Sequence, residues 1–228
     1  SRTYVEPLAR QIDATLVLPL DVTQPGQMQA VFDQIRQSWG SLDFVIHSIA
    51  FAPKDDLHGR IIDCSQAGFL QAMQVSCHSF IELAHHAESL MNPGGALITM
   101  SYYGADKVVN NYNMMGPVKA ALESSVRYLA LELGERGIRV FAVSPGPMRT
   151  RAASGIGHFD EILDMAVTRS PGRRLVDISE VGVARSRALA SDASGQRLRP
   201  PKSTTTAARA SVARRADGSS SRRRRTRA

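Results

Sequence analysis

The sequence predicts an α/β protein with a doubly wound parallel sheet, and three observations predict it. Short apolar, β-leaning runs alternate with longer stretches of helical periodicity, the pattern of strand–helix–strand crossovers. The runs within 42–53, 95–101 and 138–144 are dominated by apolar residues rather than strictly alternating, as in strands covered on both faces. The helical stretches close on glycine, at Gly40, Gly94, Gly134 and Gly137, where a chain leaves a helix and turns back to the sheet.

Residues 1–13 read as the end of a helix, with Tyr4, Val5, Leu8, Ala9 and Ile12 as its apolar positions. ATLVLPL (14–20) reads as a short buried strand closed by Asp21-Val22-Thr23, and Asp21 suits the cap of the next helix. From Pro25 to Trp39 apolar side chains fall at Met28, Val31, Phe32, Ile35 and Trp39, a helical stripe. LDFVIHSIAFAP (42–53) is the next strand and 54–66 a polar loop. A long helix is expected from Gln66 to Met91, stopped by Asn92-Pro93-Gly94. After the strand at 95–101, a second long helix runs from near Met114 to Leu133 and leads into the strand IRVFAVS (138–144). Beyond lie the loop PGPMRT (145–150), the glycine-containing ASGIGHF (153–159) and an amphipathic DEILDMAV (160–167). A helix follows within 177–195, where Arg185 and Arg187 fall on the face expected to be buried.

At 228 residues and 43% hydrophobic content, the chain suits one domain with a sizeable core. Cys64 and Cys77 are too few for a disulfide framework and suit a reducing cytoplasm. No apolar run approaches the roughly 18 residues of a membrane span. The histidines are scattered and the adjacent His85–His86 pair cannot share a helix face, so no metal site is expected. His47, at a strand end, suits a hydrogen-bonded core residue. The net charge of +7 is uneven: residues 196–228 hold eleven of the 28 basic residues and one of the 21 acidic ones. The remaining 17 basic and 20 acidic residues make the body, 1–195, mildly acidic. The tail, 196–228, has no hydrophobic periodicity and is expected to be disordered. Any nucleic-acid affinity is expected to be non-specific and to come from that tail.

Chemistry concentrates between Gly95 and Lys119. Polar residues begin where the strand should end, at Ser101 and Tyr102. Tyr112 and Lys119 stand seven residues apart, close to two helical turns, which would set them on one helix face. A nearby ammonium favours the ionised form of a phenol. A phenol aimed at a carbonyl oxygen stabilises the charge that develops there during hydride addition. Tyr103 and Lys107 are a second, closer pair, but Gly104 argues against a helix between them.

The stretch SYYGADKVVNNYNMMGPVKAALESSVRYLALELGERGIRVFAVSPGPMRTRAASGIGHF (101–159) resembles the bacterial NADH-dependent enoyl-acyl-carrier-protein reductases. These are a branch of the short-chain dehydrogenase/reductases in which the catalytic pair is spaced Tyr-x6-Lys and a further tyrosine ends the preceding strand. The resemblance covers about residues 1–195. It implies a Rossmann-like fold, catalytic Tyr112 and Lys119 with Tyr102 as the additional tyrosine, and reduction of trans-2-enoyl chains carried on acyl carrier protein, with NADH as reductant. Cofactor contacts are implied at Asp21 and Val22, at Ser48, Ile49 and Ala50 (where the family often has glycine), at Lys119, and at Gly146, Met148 and Thr150. Acyl-chain contacts are implied at Ala52, Tyr102 and Phe159, the last in a mobile flap that excludes water. A homotetramer is implied as well.

The family pattern also holds a first strand with a glycine-rich turn for the pyrophosphate and a final strand. ATLVLPL corresponds to its third strand, and neither of those parts has a counterpart here. The sheet is therefore expected to be incomplete at both places, the chain to be a shortened reductase with an aberrant tail, and NADH binding to be weak. Two other readings stand beside this one. The chain is a ketoacyl or other carbonyl reductase of the same superfamily, or a non-catalytic product whose basic tail binds nucleic acid.

Overall fold

Strands β1 (Leu42–His47), β2 (Met91–Met100) and β3 (Arg139–Ser144) lie side by side in that order and run parallel. The computed structural model describes residues 2–150, 157–190 and 209–211. Register sets His47 against Thr99 and Met100 against Val143, so the three carboxyl ends form one rim. The crossovers are helical, as parallel strands require.

Alternation along the strands divides the core into two layers. Leu97, Val140 and Ala142 face one way and join a large cluster with α2 (Gln27–Trp39), α4 (Gln66–Met73), α5 (Ser79–Glu88) and α6 (Met115–Gly134). Ala96, Ile98, Phe141 and Val143 face the other way and pack with Val181 and Ala188 of α8 (Ile178–Ala190). Helices thus cover both faces, as in a doubly wound sheet. On α8, Val181 and Ala188 are buried while Arg185 is half-buried and Arg187 exposed. The remaining helices are α1 (Arg2–Gln11), the single turn α3 (Lys54–Leu57) and α7 (Phe159–Arg169).

Several expectations are corrected. The strand expected at 14–20 does not form. No described strand lies beside it, and Val17 and Leu20 are partly open to solvent. A strand exists only as part of a ladder that pairs its N–H and C=O groups, so apolar composition alone does not make one. Asp21 does not cap α2. Its Oδ1 accepts from the Thr23 amide at 2.9 Å and hydroxyl at 2.7 Å, an Asx-type turn, and Gly26 is the cap residue. β1 stops at His47 rather than running to 53.

The helix expected from Gln66 to Met91 ends at Glu88, and Met91-Asn92-Pro93-Gly94 already belongs to β2. Proline is tolerated there because the first residues of a strand need not complete the ladder. That helix is also interrupted by a π turn at Gln74–His78, which joins α4 to α5. Of the tail, only β4 (Arg209–Ser211) is described. It pairs antiparallel with Ala142–Ser144, which among the other described strands is the open edge of the sheet.

Candidate active site

The rim at the carboxyl ends of β1, β2 and β3 carries most of the residues singled out from the sequence. Beyond Met100 the chain stays extended through Tyr102, whose φ and ψ are −153° and 154°. A single 3₁₀ turn, Tyr103–Ala105, follows. This one turn is all the helix that forms between Tyr103 and Lys107.

Tyr112 is placed by its neighbours. Asn111 and Asn113 both adopt positive φ, 62° and 43°, a conformation asparagine reaches more readily than most residues. The Tyr112 amide donates to the Val109 carbonyl at 3.2 Å, its carbonyl accepts from Met115 at 3.1 Å, and Asn113 Nδ2 donates to Leu57 O at 2.8 Å. Tyr112 therefore precedes the first residue of α6 by three positions. The expectation that Tyr112 and Lys119 share a helix face through their spacing is overturned, because the left-handed asparagines hold Tyr112 outside the helix. Pro117 falls in the first turn of α6, where its missing N–H costs no helical bond.

The two tyrosine rings meet edge to face, centroids 4.7 Å apart at 63°, a favourable aromatic arrangement. Tyr112 is buried and Tyr102 partly so. Gly104 makes room for the pair: a Cβ there would lie 2.8 Å from Tyr112 Cε1 and 3.4 Å from Tyr102 Cδ1. From the sequence Gly104 reads only as a helix breaker, and its packing role has no signal there.

Lys119 is 5% exposed, and its Nζ donates to the Met100 carbonyl at 2.7 Å. Burial pushes its pKa down to about 8, against the upward pull of Cys77 and Glu123. Glu123, one turn along the same helix, accepts from the Ser101 hydroxyl at 2.6 Å. The carboxylate's distance of four residues from Lys119 is a sequence signal for such support. The phenols do not behave as expected beside an ammonium. Burial, and then Tyr102, push the pKa of Tyr112 above the ordinary tyrosine value, and burial raises that of Tyr102. Desolvation disfavours the phenolate, so Tyr112 is a neutral hydrogen-bond donor.

The other positions divide. Ser48 and Ala50 are exposed and Ile49 half-buried, directly beyond β1. Gly146, Met148 and Thr150 are half-buried in the loop after β3, and Met148 packs on the smaller core layer. Ala52 and Tyr102 pack against the larger cluster that contains Tyr112. Val22 touches that cluster too, but Asp21 is exposed, and both follow a segment outside the sheet, so no strand pairing brings them to the rim. Phe159 opens α7 and is half-buried. The start of α7 is tied to the β3 loop by an exposed Arg149–Asp160 ion pair at 3.0 Å. Residues 153–156 of the expected flap lie outside the described residues. No cluster of three or more possible metal ligands occurs among the described residues.

His47 is buried against the Phe80 ring, with Nδ1 2.9 Å from Thr99 Oγ1 and Nε2 2.8 Å from Ser79 Oγ. Its place is in the core and not in the cleft.

A family profile described as "Enoyl-(Acyl carrier protein) reductase" matches residues 1–196. The chain is 48% identical over 191 residues to an NADH enoyl-acyl-carrier-protein reductase of Rhizobium meliloti, covering 84% of this chain and 70% of that one. It is 47% identical over 180 residues to an NADH enoyl-acyl-carrier-protein reductase of Rickettsia felis, with 79% and 69% covered. Among solved structures it resembles the reductase of Anaplasma phagocytophilum in complex with NAD, at TM-score 0.78 and 44% identity, over 84% of this chain and 75% of that one. The reductase of Aquifex aeolicus matches at TM-score 0.79 and 38% identity, over 84% and 77%.

Proposed function

The chain belongs to the enoyl-acyl-carrier-protein reductase family, and from that premise we propose that it reduces trans-2-enoyl thioesters of acyl carrier protein, a step of fatty-acid elongation, with NADH. The observation that supports this most directly is Lys119, buried at the rim of a parallel sheet and bonded to the strand end that leads into Tyr102, whose ring meets that of Tyr112 edge to face.

The residues present fit the cofactor in kind. An ammonium has three N–H donors, and Met100 O takes one of those of Lys119, which leaves donors for ribose hydroxyls. Ser48, Ile49 and Ala50 offer backbone beyond one strand, and Gly146, Met148 and Thr150 beyond another. NADH, when bound, supplies the hydride that reaches the β-carbon of the enoyl thioester. Tyr112, protonated and desolvated, donates a hydrogen bond to the thioester oxygen as negative charge develops there. Lys119 adds positive charge in a site where burial strengthens it. Tyr102, packed on Tyr112, lines the acyl site together with Ala52 and Phe159. A proton delivered to the α-carbon completes the saturated product.

The cytoplasm as the place of action is supported by two free thiols, Cys64 and Cys77. No described helix is long and apolar enough to cross a membrane. A homo-oligomer is supported by Leu70, Ile81, Tyr128 and Leu131, exposed along α4, α5 and α6.

The test is to incubate the purified chain with NADH and crotonyl or acetoacetyl thioester. Loss of NADH with the crotonyl substrate, and butyryl thioester as product by mass spectrometry, is expected. Reduction of the acetoacetyl substrate alone overturns the reading in favour of a carbonyl reductase.

A further inference from the structure

Residues 48–51 leave β1 without joining another element, yet His47 just before the segment is held by Ser79, the first residue of α5, and Phe51 at its far end by Ser76 of the turn between α4 and α5. At the near end, Ser79 donates its hydroxyl proton to Val75 O at 2.7 Å. Ser79 Oγ therefore accepts from His47 Nε2, at 2.8 Å, and His47 Nδ1 accepts from the Thr99 hydroxyl at 2.9 Å. This assigns one tautomer to a neutral ring. Burial first, and then Lys119, push the His47 pKa down to about 4, in keeping with it. At the far end, the Ser76 hydroxyl accepts from the Phe51 amide at 2.9 Å and donates to the Phe51 carbonyl at 3.0 Å.

Ser76 and Ser79 are both fully buried. A buried hydroxyl in a packed helix is unfavourable unless its bonds are made, and here the bonds of Ser79 go to the end of β1 and to the turn, while both bonds of Ser76 go to Phe51. Ser76 lies within the π turn Gln74–His78, a distortion frequent at functional sites. Between the two anchors, Ser48 and Ala50 remain exposed at the rim.

We propose that Ser76 is a positioning residue for the nicotinamide cofactor: gripping Phe51 through both backbone groups, it fixes Ser48-Ile49-Ala50 in the conformation along which the cofactor lies. The inference rests on the cofactor contact assigned to those three residues above. Ser76→Ala removes both bonds and leaves a backbone N–H and C=O without their partner.

The experiment compares the full chain with Ser76→Ala by amide hydrogen exchange and by steady-state kinetics with NADH and crotonyl thioester. Exchange at Phe51 is expected to quicken by about tenfold or more, the loss of one buried hydrogen bond. The KM for NADH is expected to rise about tenfold, with kcat and the KM for the thioester within about twofold of the parent. Faster exchange with an unchanged NADH KM overturns the inference while the proposed function stands. So does a parallel rise in both KM values, which marks a merely structural role. If the unaltered chain consumes no NADH with crotonyl thioester, the proposed function falls and carries the inference with it.

Discussion

Lys119 Nζ donates to the Met100 carbonyl across 2.7 Å and ties α6 to the last residue of β2. One turn further along α6, Glu123 accepts from Ser101, the next residue of the chain after Met100. Two consecutive positions at a strand end are thus held by two residues four apart on one helix. Tyr102 comes directly after them, and its ring meets that of Tyr112. The strand end, the lysine and the tyrosine pair form one mechanical unit.

Tyr112→Phe keeps the ring contact and removes the donor. Turnover with crotonyl thioester is expected to fall by about 10² to 10³, the usual cost of one such donor, while NADH affinity changes little. Stopped-flow loss of NADH and a fluorescence titration check the two halves separately.

Lys119 gives the cofactor site a pH dependence. Its folded pKa, about 8, lies below the ordinary lysine value of 10.5. NADH affinity is therefore expected to weaken as pH rises through 8 and the ammonium is lost. Stability moves the other way. Between the two pKa values the unfolded chain binds more protons, so this group's contribution rises with pH through that window and is lost as pH falls through about 8. Urea titrations of the parent and of Lys119→Met from pH 7 to about 9 check it: the slope with pH should be more positive in the parent.

Glu123→Gln removes one of the two groups that raise the Lys119 pKa; the other is Cys77. His47 and Lys119 also disfavour each other's charged forms. The inflection in NADH affinity is expected at lower pH in this variant. An inflection at the parent's pH would show that the carboxylate holds Ser101 without tuning the lysine.

Gly104→Ala puts a methyl group against the Tyr112 ring. The ring must move, so turnover should drop by at least tenfold while stability falls by about 1–3 kcal/mol, the usual cost of overpacking. Denaturant midpoints and kcat together check it. Unchanged turnover would mean that the tyrosine's position tolerates displacement.

How far the fold could be read varied with how local its causes were. β2 and β3 were legible because buried parallel strands need continuous apolar runs, and Ala96-Leu97-Ile98 and Val140-Phe141-Ala142-Val143 are such runs. The end of α6 was legible from Gly134 and Gly137. The run at 14–20 was equally apolar and forms no strand, since pairing depends on what lies beside a segment. The π turn at Gln74–His78 was not legible, because Ser76 and Ser79 look like ordinary polar helix residues until their partners on β1 and in the loop after it are known.

The sequence by itself determined the α/β class, which follows from side-chain periodicity, and its resemblance over residues 101–159 pointed to the family and to Tyr102, Tyr112 and Lys119 as the candidate chemistry-bearing residues. Only the tertiary structure decided how those residues meet. Tyr112 stands outside α6 between two left-handed asparagines, it stays protonated, and Lys119 spends one bond on Met100 rather than on a phenol. The physical reason is that desolvation and hydrogen-bond partnership belong to the surroundings of a side chain, and those surroundings are assembled from β1, β2, the π turn and α6, which come together only in the fold.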